Sequence, residues 1–136
     1  MLSCTVESDG RMTPGKLWTA ANWLMAALFG LSAIVQLNDP DALRWMLVYA
    51  AAATIAVLEA RRAMRWPAAV IVMLAAVGSA VWIGSDLQPA PLGSLFEEWE
   101  MRDTAVEETR EIGGLLIVAF WMAAVGIAAG MRARKA

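Results

Sequence analysis

Four long runs without a charged residue constrain this chain more than any other feature of its sequence. They cover residues 17–38, 45–58, 66–85 and 112–131 and contain 22, 14, 20 and 20 residues. Because an α-helix rises about 1.5 Å per residue, about 20 residues cross the hydrocarbon core of a bilayer. The runs therefore predict an all-α integral membrane protein with four transmembrane helices in an antiparallel bundle.

The composition favours this fold class over a soluble helical bundle. Hydrophobic residues make up 60% of the chain and charged residues 18%, whereas soluble domains carry about 25% charged residues. Helices of a soluble bundle also show a polar face with a period of about 3.6 residues, and the four runs show none. The short second run can span if Arg44 and Glu59 lie at the interfaces while Arg61 and Arg62 snorkel.

The predicted organisation is one membrane domain, 17–131, between an N-terminal tail, 1–16, and a basic C-terminal tail, 132–136. The predicted spans are 17–37, 42–59, 66–85 and 112–131. The segment 86–111 connects the last two spans. It begins as a loop, after which the capping pattern of Ser94 and Glu97 predicts an outer amphipathic helix that leads into the fourth span.

Basic and acidic residues are distributed unequally between the two ends of the predicted bundle. The two tails and the loop 59–65 hold eight of the eleven Lys and Arg residues but only three of the thirteen acids. The opposite side holds the other three Arg residues and ten acids. The positive-inside rule then predicts cytoplasmic N- and C-termini, in the bacterial inner membrane if the source is prokaryotic.

Small and aromatic residues predict where the helices pack and where they meet the interface. Ala76, Ala80 and Gly84 are spaced four apart, and Gly126 and Gly130 repeat that spacing, so both sets predict faces on which helix backbones approach closely. Four tryptophans near helix ends are predicted to anchor the interface. They are Trp18, Trp45, Trp66 and Trp82. Trp121 lies nearer the middle of a helix and is expected to pack against a neighbour or lipid.

Two polar segments lie on the predicted non-cytoplasmic side. The first contains Asn38, Asp39 and Asp41, and the second contains Glu107, Glu108 and Glu111. In an antiparallel four-helix bundle the two segments lie at the same end, so we expect them to meet. Helix capping alone also explains the first segment, because Asp39 is a good N-cap and Asp41 suits the helix dipole.

The two segments together resemble the two signatures of the transmembrane protein 220 family. Residues 35–42 read Val-Gln-Leu-Asn-Asp-Pro-Asp-Ala and are followed by Trp45 and Tyr49, and residues 107–115 read Glu-Glu-Thr-Arg-Glu-Ile-Gly-Gly-Leu. Asn22 and Trp82 also fall where similar residues occur in the family. The resemblance covers residues 17–130 and implies a small multi-spanning architecture with a pair of matched motifs. It implies no particular biochemical activity.

One interpretation of the polar segments is a structural lock. Asp103, Glu107 and Glu111 stack along one helix face and repel one another, so arginines are expected to compensate them. Arg110 would pair with Glu107, and Arg44 or Arg110 would bridge to the Asp39 turn. The residues assigned to this lock are Asn22, Gln36, Arg44 and Arg110.

A second interpretation is a divalent-cation site. Hard cations prefer carboxylate and amide oxygens, and the chain has no His and one Cys, so calcium or magnesium fits better than zinc. The candidate ligands are Asn38, Asp39, Asp41, Glu107, Glu108 and Glu111. A proton or solute pathway and an enzyme acting on lipid headgroups remain weaker alternatives, because the spans carry no charge at mid-membrane and no nucleophile lies beside a base.

The function predicted from these features is non-catalytic. We expect an accessory or scaffolding subunit of a larger membrane assembly, with a cation-binding membrane module as the alternative. The expected partners are the lipid bilayer and other membrane subunits or copies of the chain, and no nucleic acid. No cofactor is expected apart from possible calcium or magnesium.

Overall fold

The computed structural model describes residues 12–38, 42–85 and 104–136. This part of the chain contains four long helices. They are α1, Pro14–Val35, α2, Ala42–Ala60, α3, Trp66–Gly84, and α4, Thr104–Ala133. A short 3₁₀ turn, Gln36–Asn38, follows α1. Each long helix is apolar and long enough to cross a membrane, which confirms the predicted fold class.

The helices start and stop where local chemistry favours it. The Thr13 side chain accepts a hydrogen bond from the Lys16 backbone N–H at 3.4 Å, and Pro14 opens α1. Pro67 occupies the first turn of α3, where a missing N–H costs nothing. In α4, Glu107 lies in the first turn and Arg132 in the last, so both charges suit the helix dipole.

Two helix boundaries differ from the prediction by more than two residues. α1 begins at Pro14, inside the predicted tail, and α4 begins at Thr104 rather than 112. The reason is that residues favouring a helix extend beyond the uncharged runs. In α1 these are the N-cap Thr13 and the following Pro14, and in α4 they are the polar helix-forming residues before 112. The predicted outer amphipathic helix lies mostly in 86–103, outside the described residues, and from Thr104 the chain is continuous with α4.

The end of α2 is a Schellman motif built on a non-glycine residue. The Arg62 N–H donates to the Glu59 carbonyl at 2.9 Å and the Ala63 N–H donates to the Leu58 carbonyl at 2.8 Å. Arg62 has a φ of 58° and is the only non-glycine residue with a positive φ in the described part of the chain. The motif usually places Gly there. Arg62 therefore adopts a left-handed conformation in which its Cβ lies unfavourably close to the following carbonyl oxygen.

The bundle consists of two helical hairpins. α1 packs along α2, α3 packs along α4, and α2 also contacts α3 and α4. Among the described residues, no Cα atom of α1 lies within 8 Å of a Cα atom of α4. The hairpins therefore join through α2, and only long side chains connect α1 to α4.

The predicted small-residue faces pack within the chain. Ala76 and Ala80 are buried. An added Cβ at Gly126 would meet Val70 and Ala69 of α3, and one at Gly130 would meet Trp66. Both sets therefore serve the packing of α3 against α4.

The core is formed by large side chains from α2 and α4 and by alanines. Leu115, Met122 and Val125 of α4 are fully buried beside Ala52 of α2. Trp45 is also buried, with 2% of its surface exposed, so the prediction that it anchors the interface is wrong. Trp45 belongs to the cluster of buried residues that forms the core.

Candidate functional site at the basic end of the bundle

A buried carboxylate organises the end of the bundle that carries the basic residues. Glu59 lies in the last turn of α2, and its side chain is completely buried. It is the only buried charged side chain among the residues that the structure describes. A charge removed from water is very costly unless opposite charge and hydrogen bonds compensate it, so the surroundings of Glu59 must supply both.

Arg132 of α4 supplies the opposite charge. Its Nη1 donates to Glu59 Oε1 at 2.6 Å and its Nη2 donates to Oε2 at 2.5 Å. The two parallel hydrogen bonds form the bidentate pairing in which a planar guanidinium matches a carboxylate. This ion pair joins α2 to α4 across 73 residues of sequence.

Trp18 of α1 supplies the third hydrogen bond to the same carboxylate. Its indole Nε1 donates to Glu59 Oε1 at 2.7 Å. One carboxylate from α2 is therefore held by both α1 and α4. Trp18 was predicted to anchor the interface, but its indole N–H points to a partner inside the bundle.

Asn22 extends the network along α1. Its Nδ2 donates to the Trp18 carbonyl at 2.9 Å, and its Oδ1 accepts a hydrogen bond from Trp121 Nε1 at 3.2 Å. The rings of Trp18 and Trp121 stack with their centroids 5.5 Å apart. Trp121 thus packs against a neighbour, as predicted. We call Trp18, Asn22, Glu59, Trp121 and Arg132 the buried polar network.

The network fills the space that separates α1 from α4. Since the two backbones stay apart, side chains cross the gap. Trp121 of α4 stacks on Trp18 and donates to Asn22 of α1, while Arg132 connects to Trp18 of α1 through Glu59 of α2. No buried side-chain nitrogen or oxygen lacks a partner among the described residues. The arrangement is thus closed and suits the joining of helices.

Exposed basic residues surround this closed network. Arg62 Nη2 donates to the Gly15 carbonyl at 3.3 Å, so the loop after α2 contacts the start of α1. The Arg61 guanidinium lies 5.8 Å from the Trp23 ring centroid, within the range of cation–π attraction. Glu59 is the only acid at this end among the described residues, and its charge is engaged by Arg132.

The predicted acidic site at the opposite end is described only in part. Asp39 and Asp41 lie outside the described residues. Asn38 ends the 3₁₀ turn and is exposed, while Glu107, Glu108 and Glu111 lie half-buried in the first turns of α4. The described residues contain no group of three or more Asp, Glu, His or Cys that could hold a metal ion, so the cation site stays a prediction.

The residues predicted to form the structural lock are dispersed. Asn22 belongs to the buried polar network, 14 residues and thus about 21 Å along the helix from Gln36. Arg44 lies over the ring of Trp45, 5.2 Å from its centroid. Arg110 takes part in a polar or electrostatic contact, and its predicted pairing stays a prediction.

The two polar segments do approach each other through the residues that follow them. The Tyr49 hydroxyl of α2 occupies the place that a Cβ on Gly114 would take. Leu115, beside Gly114, is buried. The contact between α2 and α4 at this end is therefore a tyrosine packed on a bare backbone.

Sequence reasoning missed the ion pair of Glu59 with Arg132. Glu59 was predicted to lie at the interface, although it is the only acid in the otherwise basic loop 59–65. A lone carboxylate at the end of an apolar run needs a cationic partner from another helix. The sequence therefore indicated that Glu59 needs a cationic partner, but it did not indicate that α4 supplies one.

Four apolar spans and a closed internal polar network define a small multi-pass integral membrane protein. The chain belongs to the transmembrane protein 220 family, since the model described as "Transmembrane family 220, helix" matches residues 28–127. It is 31% identical over 107 residues to "Transmembrane protein 220" of Xenopus laevis, an alignment that covers 79% of this chain and 57% of that protein.

The resemblance found in the two signatures is thereby confirmed. The chain spans little more than half the length of this relative. No solved structure matches the chain.

Proposed function

We propose that this protein is a non-catalytic accessory or scaffolding subunit of a larger membrane assembly and that it docks through α3. The observation that supports this role is the outward face of α3, which the other described helices leave uncovered. Its apolar residues Ile71, Leu74, Val81 and Trp82 are all exposed, and Trp82 is 79% exposed. These positions recur at helical spacing and so form one continuous face.

The centre of this face is shaped for a second helix. Gly78 lies between the bulky residues, and an added Cβ there would meet nothing within 4 Å. Membrane helices associate through small residues that let backbones approach, with larger side chains packing at either side. We take the open Gly78 together with the exposed Trp82 as the docking surface on α3.

The buried polar network supports a structural role over a catalytic one. The Glu59 carboxylate accepts hydrogen bonds from Trp18 and from both terminal nitrogens of Arg132. A carboxylate held in this way is occupied by the protein itself. A general acid or base must instead lie within reach of a substrate proton.

Site-specific photo-crosslinking in native membranes tests the docking face. We expect a photoreactive side chain at Leu74 to give a discrete protein adduct, and one at the exposed Leu31 of α1 to give lipid adducts only. Gly78→Leu should abolish the Leu74 adduct, whereas Gly30→Leu, at a position on α1 that is equally open, should leave it intact. Lipid adducts alone from both positions would exclude docking through α3.

We also propose that both termini face the cytoplasm, in the bacterial inner membrane if the source is prokaryotic. The excess of Lys and Arg at the end that carries both termini supports this orientation. In a Cys4→Ser background, Lys135→Cys should react with a membrane-impermeant maleimide in inverted vesicles and not in intact cells. Labelling in intact cells would reverse the orientation.

A further inference from the structure

The gap between α1 and α4 opens into an apolar groove of about 520 Å³. Its walls are Trp18 of α1 and Ala124, Ile127, Ala128 and Met131 of α4. The groove lies where side chains of the buried polar network, and not direct backbone contact, connect the two helices. An apolar groove on the outside of a membrane bundle is filled by something of matching chemistry.

Basic side chains stand at the mouth of the same groove. Arg62, Arg132 and Lys135 line it at the end of the bundle where the chain leaves the apolar spans. Arg132 is neutralised by Glu59, but no acid among the described residues compensates Arg62 or Lys135 at this end. The groove therefore combines an apolar wall with a cationic mouth.

The length of the groove is close to the depth of one leaflet of a bilayer. The lining residues on α4 run from Ala124 to Arg132, which is about 12 Å of helix at 1.5 Å per residue, and Lys135 lines the groove just beyond the end of α4. Half of a hydrocarbon core that is about 30 Å thick is about 15 Å. A single acyl chain can therefore lie along the wall while its headgroup reaches the mouth.

We propose that this groove binds one phospholipid with an anionic headgroup, and that Arg62 and Lys135 select the charge. The conformation of Arg62 supports this assignment. The residue occupies a left-handed position that normally favours glycine, and it lines this groove and two further grooves at the same end of the bundle. Basic pockets between transmembrane helices are a recognised way to bind anionic headgroups.

Native mass spectrometry of the full chain in detergent tests the proposal. The probes are phosphatidylglycerol and phosphatidylcholine with identical acyl chains. We expect one phosphatidylglycerol to bind in preference to phosphatidylcholine. The double variant Arg62→Gln/Lys135→Gln should weaken phosphatidylglycerol binding roughly thirtyfold, the factor expected when two basic residues are lost near an anionic lipid.

The chain offers a matched control for this double variant. Arg61→Gln/Arg134→Gln removes the same charge from neighbouring positions that do not line the groove, and it should leave the preference intact. Equal weakening by both pairs would mean diffuse attraction to surface charge and would overturn the site. Circular dichroism of both variants, which should match the native chain, separates lost binding from lost folding.

Two further experiments test whether the lipid itself occupies the groove. Ala128→Phe should block the groove and abolish binding, whereas Ala27→Phe on the exposed side of α1 should not. Millimolar inorganic phosphate should not displace the lipid. The proposal would be overturned by displacement of the lipid by phosphate or by equal binding of both lipids. It would also be overturned if deletion of residues 1–11 strengthened lipid binding, because the tail would then be the occupant of the groove.

Discussion

The two ends of the bundle join their helices in different ways. At the basic end, α1 and α4 stay apart, and the buried polar network connects them through Glu59 of α2. At the opposite end, the Tyr49 hydroxyl packs directly onto the backbone at Gly114. The first end depends on directional bonds between long side chains, and the second depends on close packing of a large residue against a small one.

The comparison shows how a membrane bundle can have both a tight end and an open end. Where polar groups meet in a medium without water, each must find a partner, so the basic end is specified by pairing. Where a ring meets a glycine, only shape matters. The open end leaves room for a groove.

The largest effect is expected from breaking the ion pair. Arg132→Ala leaves the buried Glu59 with Trp18 as its remaining donor, and losing one partner of a buried pair costs about 3–5 kcal/mol in soluble proteins. We expect the free energy of unfolding in detergent to fall by about 3 kcal/mol. Denaturant titration monitored by circular dichroism measures it.

The neighbouring Arg134→Ala serves as the control, because Arg134 is exposed and forms no contact with Glu59. The double variant Glu59→Leu/Arg132→Leu should recover most of the loss, since a hydrophobic pair often replaces a buried ion pair without cost. If Arg132→Ala and Arg134→Ala unfold alike, the ion pair does not hold the basic end.

The opposite end is tested by Gly114→Ala. The new methyl group would collide with the Tyr49 hydroxyl, so we expect a loss of about 1–3 kcal/mol from overpacking. Gly113→Ala is the matched control, since an added Cβ there meets nothing within 4 Å and improves helix propensity by up to about 1 kcal/mol.

Combining Gly114→Ala with Tyr49→Phe should restore stability in the same unfolding assay, because the colliding oxygen is gone. A loss that persists in this double variant would mean that the hydroxyl does not set the approach of α2 to α4.

A smaller effect is expected at the turn after α2. Arg62→Gly removes the Cβ from a residue with φ of 58°, whereas Arg62→Ala keeps the unfavourable conformation. Since the left-handed region costs a non-glycine residue about 1–2 kcal/mol, the glycine variant should unfold at the higher denaturant concentration of the two. Equal midpoints would mean that the turn relaxes without cost.

The smallest effect concerns the predicted cation site at the acidic end. If calcium or magnesium binds there, it should raise the thermal midpoint of the native chain in detergent relative to chelator, because a ligand that binds only the folded state stabilises it. Glu111→Gln should abolish the increase. A midpoint that is the same in cation and chelator would rule out the predicted cation site at this end.

The helices were predictable and their partners were not, for one physical reason. A span must be apolar along its whole length, so the runs at 17–38 and 66–85 reveal themselves without reference to any other part of the chain. The pairing of Glu59 with Arg132 depends on which helices are neighbours. Which helices become neighbours depends on how their surfaces fit, for example where Gly126 of α4 lies against Val70 of α3. A single hydrophobic run does not contain that information.

Asn22 and Tyr49 show the same limit at the level of single residues. Asn22 was assigned to the lock at the acidic side because it is polar, but its partners are Trp18 and Trp121 at the other end. Tyr49 belonged to a recognisable motif, yet its contact with Gly114 could not be predicted without the register of α2 against α4. The residue types indicated that Asn22 and Tyr49 make specific contacts. The packing of the helices determines which residues they contact.

The long separation between Glu59 and Arg132 has a consequence for synthesis of the protein. The two residues are 73 positions apart, and a ribosome adds about 5–20 residues per second, so Glu59 emerges about 4–15 s before Arg132. During that interval the first hairpin carries a carboxylate whose guanidinium partner does not yet exist. The last helix therefore completes the charge balance of the first hairpin, and a nascent chain truncated before Arg132 lacks the guanidinium that pairs with Glu59.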